Sequence, residues 1–246
     1  MREIWLTAAV GLAAAVLFIA VPQIDLAAAR VLYVGDNAFL LSHHPVGIVW
    51  AKATRALARM TIIVLAIGLV LTLLRRRPIL GLDWRRFLFL LLCFGIGTGV
   101  IASALFKDHW GRARPSQIVE FGGDKQFTPA FVITDQCPRN CSFVSGDAAF
   151  AFGTLGFALL AGRHRRYVLA ALALGAVVGF GRMLTGAHFL SDIVLAGVFS
   201  VLTVLILERL MLARPPPKAD ARPSREIGRE GPRRPHAPPG RRRRAR

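Results

Sequence analysis

Residues 87–106 read FLFLLLCFGIGTGVIASALF, and residues 107–115 follow as KDHWGRARP. The first stretch carries no charge and matches the roughly 20 residues that a helix needs to cross a bilayer core of about 30 Å. The second gathers Lys107, Asp108, His109, Arg112 and Arg114 before Pro115 stops any helical continuation. An apolar run that ends in such a cluster sets the cluster where lipid meets water.

The pattern repeats along the 246 residues, of which 54% are hydrophobic, too many to leave a polar cover for a soluble domain. Apolar runs occupy residues 4–21, 60–74, 87–106, 148–161, 167–180 and 189–212. The alternation required of a membrane-crossing strand is absent. The expectation is an all-α polytopic membrane protein, a six-transmembrane-helix bundle over residues 1–212, whose shorter runs borrow flanking residues such as 46–59. The first run reads as a helix rather than a signal peptide, because Ala27, Ala28 and Ala29, the small residues that cleavage would use, lie well beyond it.

Short cytoplasmic loops collect Lys and Arg. Arg75, Arg76, Arg77, Arg85 and Arg86 mark the loop after the second run, and Arg163, Arg165 and Arg166 the loop after the fourth. Residues 22–55, 107–144 and 182–187 then fall outside. Half of the net charge of +18 belongs to residues 213–246, which hold twelve Lys and Arg against three Asp and Glu, with many prolines and no aromatic ring. Such a segment buries too little apolar surface to order itself, so it is expected to be a disordered cytoplasmic tail. Its basic run reads as a topology anchor, or as adhesion to anionic lipids or an acidic partner; no specific nucleic acid is expected.

Three clusters close these runs on the outward face: residues 107–115, then Ser145, Gly146 and Asp147, then Gly181 and Arg182 through His188 to Asp192. Their four cations, two histidines and three carboxylates are the equipment for holding a phosphate and attacking its phosphorus. Lys107, Arg112 and Arg114 run against the outward charge bias and so point to an anionic ligand. Ser145 and Gly146 open a helix, where backbone N–H groups favour an anion, although Ser145 also reads as a simple N-cap. Asp147 reads as a dipole-satisfying carboxylate or as a proton donor. His188 and Asp192 stand four apart on one helix face, so the carboxylate can hold one ring nitrogen and leave the other as nucleophile. Cys137 and Cys141 read as a disulfide in an oxidising exterior, with two thiols or half of a metal site as alternatives.

On these residues the chain resembles the type 2 phosphatidic acid phosphatases, a superfamily that includes vanadium-dependent haloperoxidases and bacterial acid phosphatases. Lys107, six residues, Arg114 and Pro115 fit its first motif. Arg182, five residues, His188, three residues and Asp192 fit its third, with Gly181 where the family usually has serine. The second motif, normally Pro-Ser-Gly-His, reads Val144, Ser145, Gly146, Asp147.

The resemblance implies a phosphatase without metal or other cofactor, embedded in a bacterial cytoplasmic membrane with its site facing the periplasm. It makes His188 the nucleophile of a phosphohistidine intermediate, oriented by Asp192. Lys107, Arg114 and Arg182 grip the phosphate, with Ser145 and Gly146 completing the cradle and Arg112 an extra contact. Asp147 stands in for the family's leaving-group acid, and burial is expected to keep it protonated. Lipid A 1-phosphate ranks first among substrates, ahead of undecaprenyl diphosphate, phosphatidylglycerophosphate and phosphatidic acid. With its second motif altered, the chain also reads as a head-group binding or transport protein without hydrolysis, or as a membrane anchor whose tail recruits a partner.

Overall fold

The computed structural model describes residues 1–107 and 109–212, apart from the side chains of residues 101, 103–105 and 107. Asp108 and the tail expected at residues 213–246 lie outside the described residues. The described residues form α1 (Arg2–Ala20), α2 (Gln23–Arg30), a hairpin of β1 (Tyr33–Gly35) and β2 (Ala38–Phe39), α3 (Pro45–Arg75) and α4 (Trp84–Phe94). A π-helix (Gly95–Lys107) continues α4, and α5 (Gly146–Gly153), α6 (Leu155–Leu160), α7 (Arg165–Leu184) and α8 (Leu190–Met211) follow.

Helix dominates as expected, but the count of six spanning helices is not exact. Among the described residues four single helices, α1, α3, α7 and α8, are long and apolar enough to cross a membrane. The third run changes from α to π hydrogen bonding at Gly95, Gly97 and Gly99, where the backbone is most permissive. The fourth breaks at Thr154, whose N–H and hydroxyl both turn back onto the Ala151 carbonyl. The second begins at Pro45 rather than at residue 60, because His44 caps it by accepting from the Val46 N–H and Pro45 fits the first turn. The segment expected to be a plain outer loop holds α2 and the hairpin, closed by Asp36 and Asn37 with φ of 48° and 56°.

The centre of the bundle is α8, with α1, α5 and α7 around it. Small residues let the backbones approach. A Cβ on Gly11 of α1 would lie 2.5 Å from Val198 Cγ1 of α8. The Phe152 ring of α5 fills the space left by Gly175 of α7 and Gly197 of α8. Charge then collects at both ends of α8. At one end Arg163 pairs with Glu3 and, at 2.6 Å, with Glu208; at the other Asp25 reaches Ser191.

Candidate functional site

Backbone hydrogen bonds tie the three clusters to that second end. Ser116 N–H donates to the Gly186 carbonyl at 3.0 Å, Ser142 N–H to Arg112 at 2.9 Å, and Ser145 N–H to Asp192 at 3.2 Å. Gly186, at φ +65° in the turn before α8, leaves room for the Phe39 ring. Gly181, where serine was expected, has its own reason: a Cβ there would stand 2.5 Å from Trp50 Nε1.

His188 lies at the mouth of α8 with 2% of its surface exposed. Its Nδ1 is 2.7 Å from the Ser142 carbonyl oxygen and 3.5 Å from Asp192 Oδ2. A carbonyl only accepts, so Nδ1 carries the hydrogen and the neutral ring keeps its lone pair on Nε2. The backbone of Ser142 thus holds the ring more closely than the carboxylate read from the i, i+4 spacing. Asp192 is committed elsewhere: Oδ2 accepts from Ser142 Oγ at 2.5 Å and from Phe189 N–H at 2.8 Å, and Oδ1 from Arg112 at 2.7 Å. The Phe189 bond closes the first turn of α8, as an acid at the third helical position does.

Arg112 departs from its expected place among the phosphate contacts. It is fully buried, and four of its five N–H groups are used: by the Thr128 carbonyl, Ser191 Oγ, Asp192 Oδ1 and Asp25 Oδ2. The guanidinium also stacks on the Phe189 ring at 4.3 Å. Asp25, equally buried, accepts from Ser191 N–H at 2.8 Å and Ser191 Oγ at 2.5 Å. Burial pushes its carboxyl above the usual range, while Arg112 draws it back down. One arginine therefore faces two buried carboxylates beneath His188.

Arg114 and Arg182 border a cleft of about 270 Å³ together with Ser116 and Thr185. Arg114 donates to the Asn140 carbonyl at 2.8 Å, and burial followed by the like charge of Arg182 holds its guanidinium below the ordinary range. Arg182 Nε stands 3.1 Å from Asp147 Oδ2 in the first turn of α5. Asp147 thus faces the Arg182 guanidinium within the site. Ser145 is the N-cap of α5 and accepts from Ala148 N–H at 3.4 Å, with buried Gly146 next. Lys107 closes the π-helix, and its side chain lies outside the described atoms. Cys137 and Cys141 are joined as a disulfide, with Cα atoms 5.7 Å apart. Among the described residues no three His, Cys, Asp or Glu side chains group as metal ligands.

Three contributors were missed in the sequence. Asp25 had a signal, a carboxylate between Ile24 and Leu26 in a helix-forming stretch. Ser191 lies inside the third motif. Ser142 gave none, because it is the main-chain carbonyl that meets His188.

Comparison with known proteins bears on the family and the fold. A model of the PAP2 superfamily matches residues 88–216. A lipid A 4'-phosphatase of Francisella tularensis subsp. novicida (strain U112) is 44% identical over 126 residues, covering 50% of this chain and 57% of that one. A lipid A 4'-phosphatase of Rhizobium leguminosarum is 38% identical over 114 residues, 46% of this chain and 49% of that one. The chain thus spans about half the length of the curated relatives it matches. The crystal structure of a transmembrane PAP2-type phosphatidylglycerolphosphate phosphatase from Bacillus subtilis superposes with a TM-score of 0.53 at 17% identity. It covers 85% of this chain and 96% of that one, a likeness of fold.

Proposed function

The chain belongs to the PAP2 superfamily, and from that premise we propose that it is a membrane phosphatase that removes a phosphate monoester from a lipid through a phosphohistidine at His188. The observation that carries the reading is the 2.7 Å contact between His188 Nδ1 and the Ser142 carbonyl, which leaves Nε2 as the nucleophile. Nε2 attacks phosphorus, the N–P bond forms as the lipid P–O bond breaks, and the leaving alkoxide takes a proton from water. Positive charge then appears on the ring beside Asp192, and Arg114, Arg182 and Lys107 meet the charge on the phosphoryl oxygens. A second water attacks phosphorus and gives its proton to the hydroxide left by the first, the electron pair of the N–P bond returns to Nε2, and inorganic phosphate leaves.

For the substrate we take lipid A, since two matched relatives bear that name, and the 4'-phosphate in place of the 1-phosphate ranked first from sequence. The arginine asymmetry supports a site on the periplasmic face. The test is phosphate release by the purified protein from lipid A 1,4'-bisphosphate, both monophosphates, undecaprenyl diphosphate, phosphatidylglycerophosphate and phosphatidic acid, with vanadate as inhibitor. Release from the 4' position above all others is expected. Binding without release from any of them returns the chain to a head-group carrier.

In this reading Asp147 is a positioning residue for Arg182. Asp147→Asn keeps an acceptor but loses the charge, so kcat/KM is expected to fall by about tenfold, mostly through KM, with the acid limb of the pH profile unmoved. A loss of about 100-fold in kcat with a displaced limb marks a general acid instead.

A further inference from the structure

The cleft beside Arg114 and Arg182 has a second basic wall. Lys52 and Arg55, one turn apart on α3, line it together with Arg114 and Arg182. Arg55 Nε donates to the Ala51 carbonyl at 2.9 Å, which pins the guanidinium along the helix edge that borders the cleft. Both side chains are solvent-exposed, and Asp147 is the acidic group paired nearby, with Arg182. At about 1.5 Å per residue the 31 residues of α3 exceed a bilayer core of about 30 Å by roughly eleven residues. That excess, taken at the end of α3 nearest the site, runs from Pro45 to Arg55 and holds the two cations at head-group level.

Four cations around one cleft repel one another, and Arg114 feels Arg55 as well as Arg182. One phosphate on Arg114 and Arg182 leaves Lys52 and Arg55 at the same opening, where among the described residues neither has an acidic side chain as ion-pair partner. A snorkelling role for these two would turn them toward lipid, whereas both face the cleft.

We propose that Lys52 and Arg55 form a second anion subsite that holds a further phosphate of the same lipid head group while the first is transferred to His188. The proposal deepens the phosphatase reading and rests on it. The subsite selects substrates that carry two phosphates over those that carry one. It acts through binding, so its loss appears in KM.

The experiment compares wild type with Lys52→Gln, Arg55→Gln and the double variant on a bisphosphorylated lipid and on the monophosphorylated lipid of the same acyl chains. The readout is the ratio of the two kcat/KM values, from which any loss of folded protein cancels. In neutral detergent micelles the wild type is expected to prefer the bisphosphate by about tenfold or more, and the double variant to lose that preference, as removal of charge-assisted phosphate contacts predicts. A ratio that is the same in wild type and double variant overturns the subsite while leaving the phosphatase reading intact. A repeat with phosphatidylglycerol or inorganic phosphate added identifies the source of the second anion. If the variants differ from wild type only when either is present, the anion comes from outside the substrate and the proposal fails. No release from either lipid by wild type overturns the phosphatase reading, and this proposal with it.

Discussion

His188→Ala is expected to lower phosphate release by at least about 10³-fold while the protein still inserts and melts as wild type does. The Ser142 carbonyl, 2.7 Å from Nδ1, orients the ring and so aims its other nitrogen. No neighbouring side chain replaces a nucleophile held in that way. Ser142→Ala is the informative companion, because it removes the hydroxyl bonded to Asp192 and leaves the carbonyl in place. It is expected to cost less than about tenfold in kcat, since the nucleophile keeps its orientation. Quenching labelled substrate with wild type traps a protein-bound phosphate that is stable to base and labile to acid, the signature of phosphohistidine. Turnover by His188→Ala at even a tenth of the wild-type rate sinks the mechanism.

Arg112→Met is expected to destabilise the protein by about 3–5 kcal/mol, the range for removing one partner from a buried ion pair. Arg112 is fully buried between Asp25 at 2.8 Å and Asp192 at 2.7 Å, and its loss strands both carboxylates away from water. Asp25→Asn keeps an acceptor for Ser191 and removes one of the two charges, so its cost is smaller. The double variant is then less damaged than the sum of the two, because the charges left behind by each change partly cancel. Thermal melts in detergent, followed through the four tryptophans, measure all three. A stable Arg112→Met protein with a raised KM returns Arg112 to the phosphate contacts where the sequence had placed it.

Local periodicity carried what the sequence determined. Apolar runs of spanning length fixed a helical membrane bundle, and the spacing of His188 and Asp192 brought the two together, although His188 stands just before the N-cap Phe189 of α8 and not on its face as the i, i+4 reading expected. Ser145 was legible as an N-cap because capping is settled within three residues. The tertiary structure decided which charges meet. Asp25 and Ser191 are 166 residues apart, and a pairing at that range depends on α1 and α8 packing antiparallel through Gly11 and Val198. The fold also turned Arg112 from an expected phosphate ligand into a support of Asp192, and α5 packed on α7 set Arg182 against Asp147. A charge in a sequence has a sign and a reach but no direction. Only the fold supplies the direction, because a buried ion must find its partner among the groups that packing brings within hydrogen-bond distance.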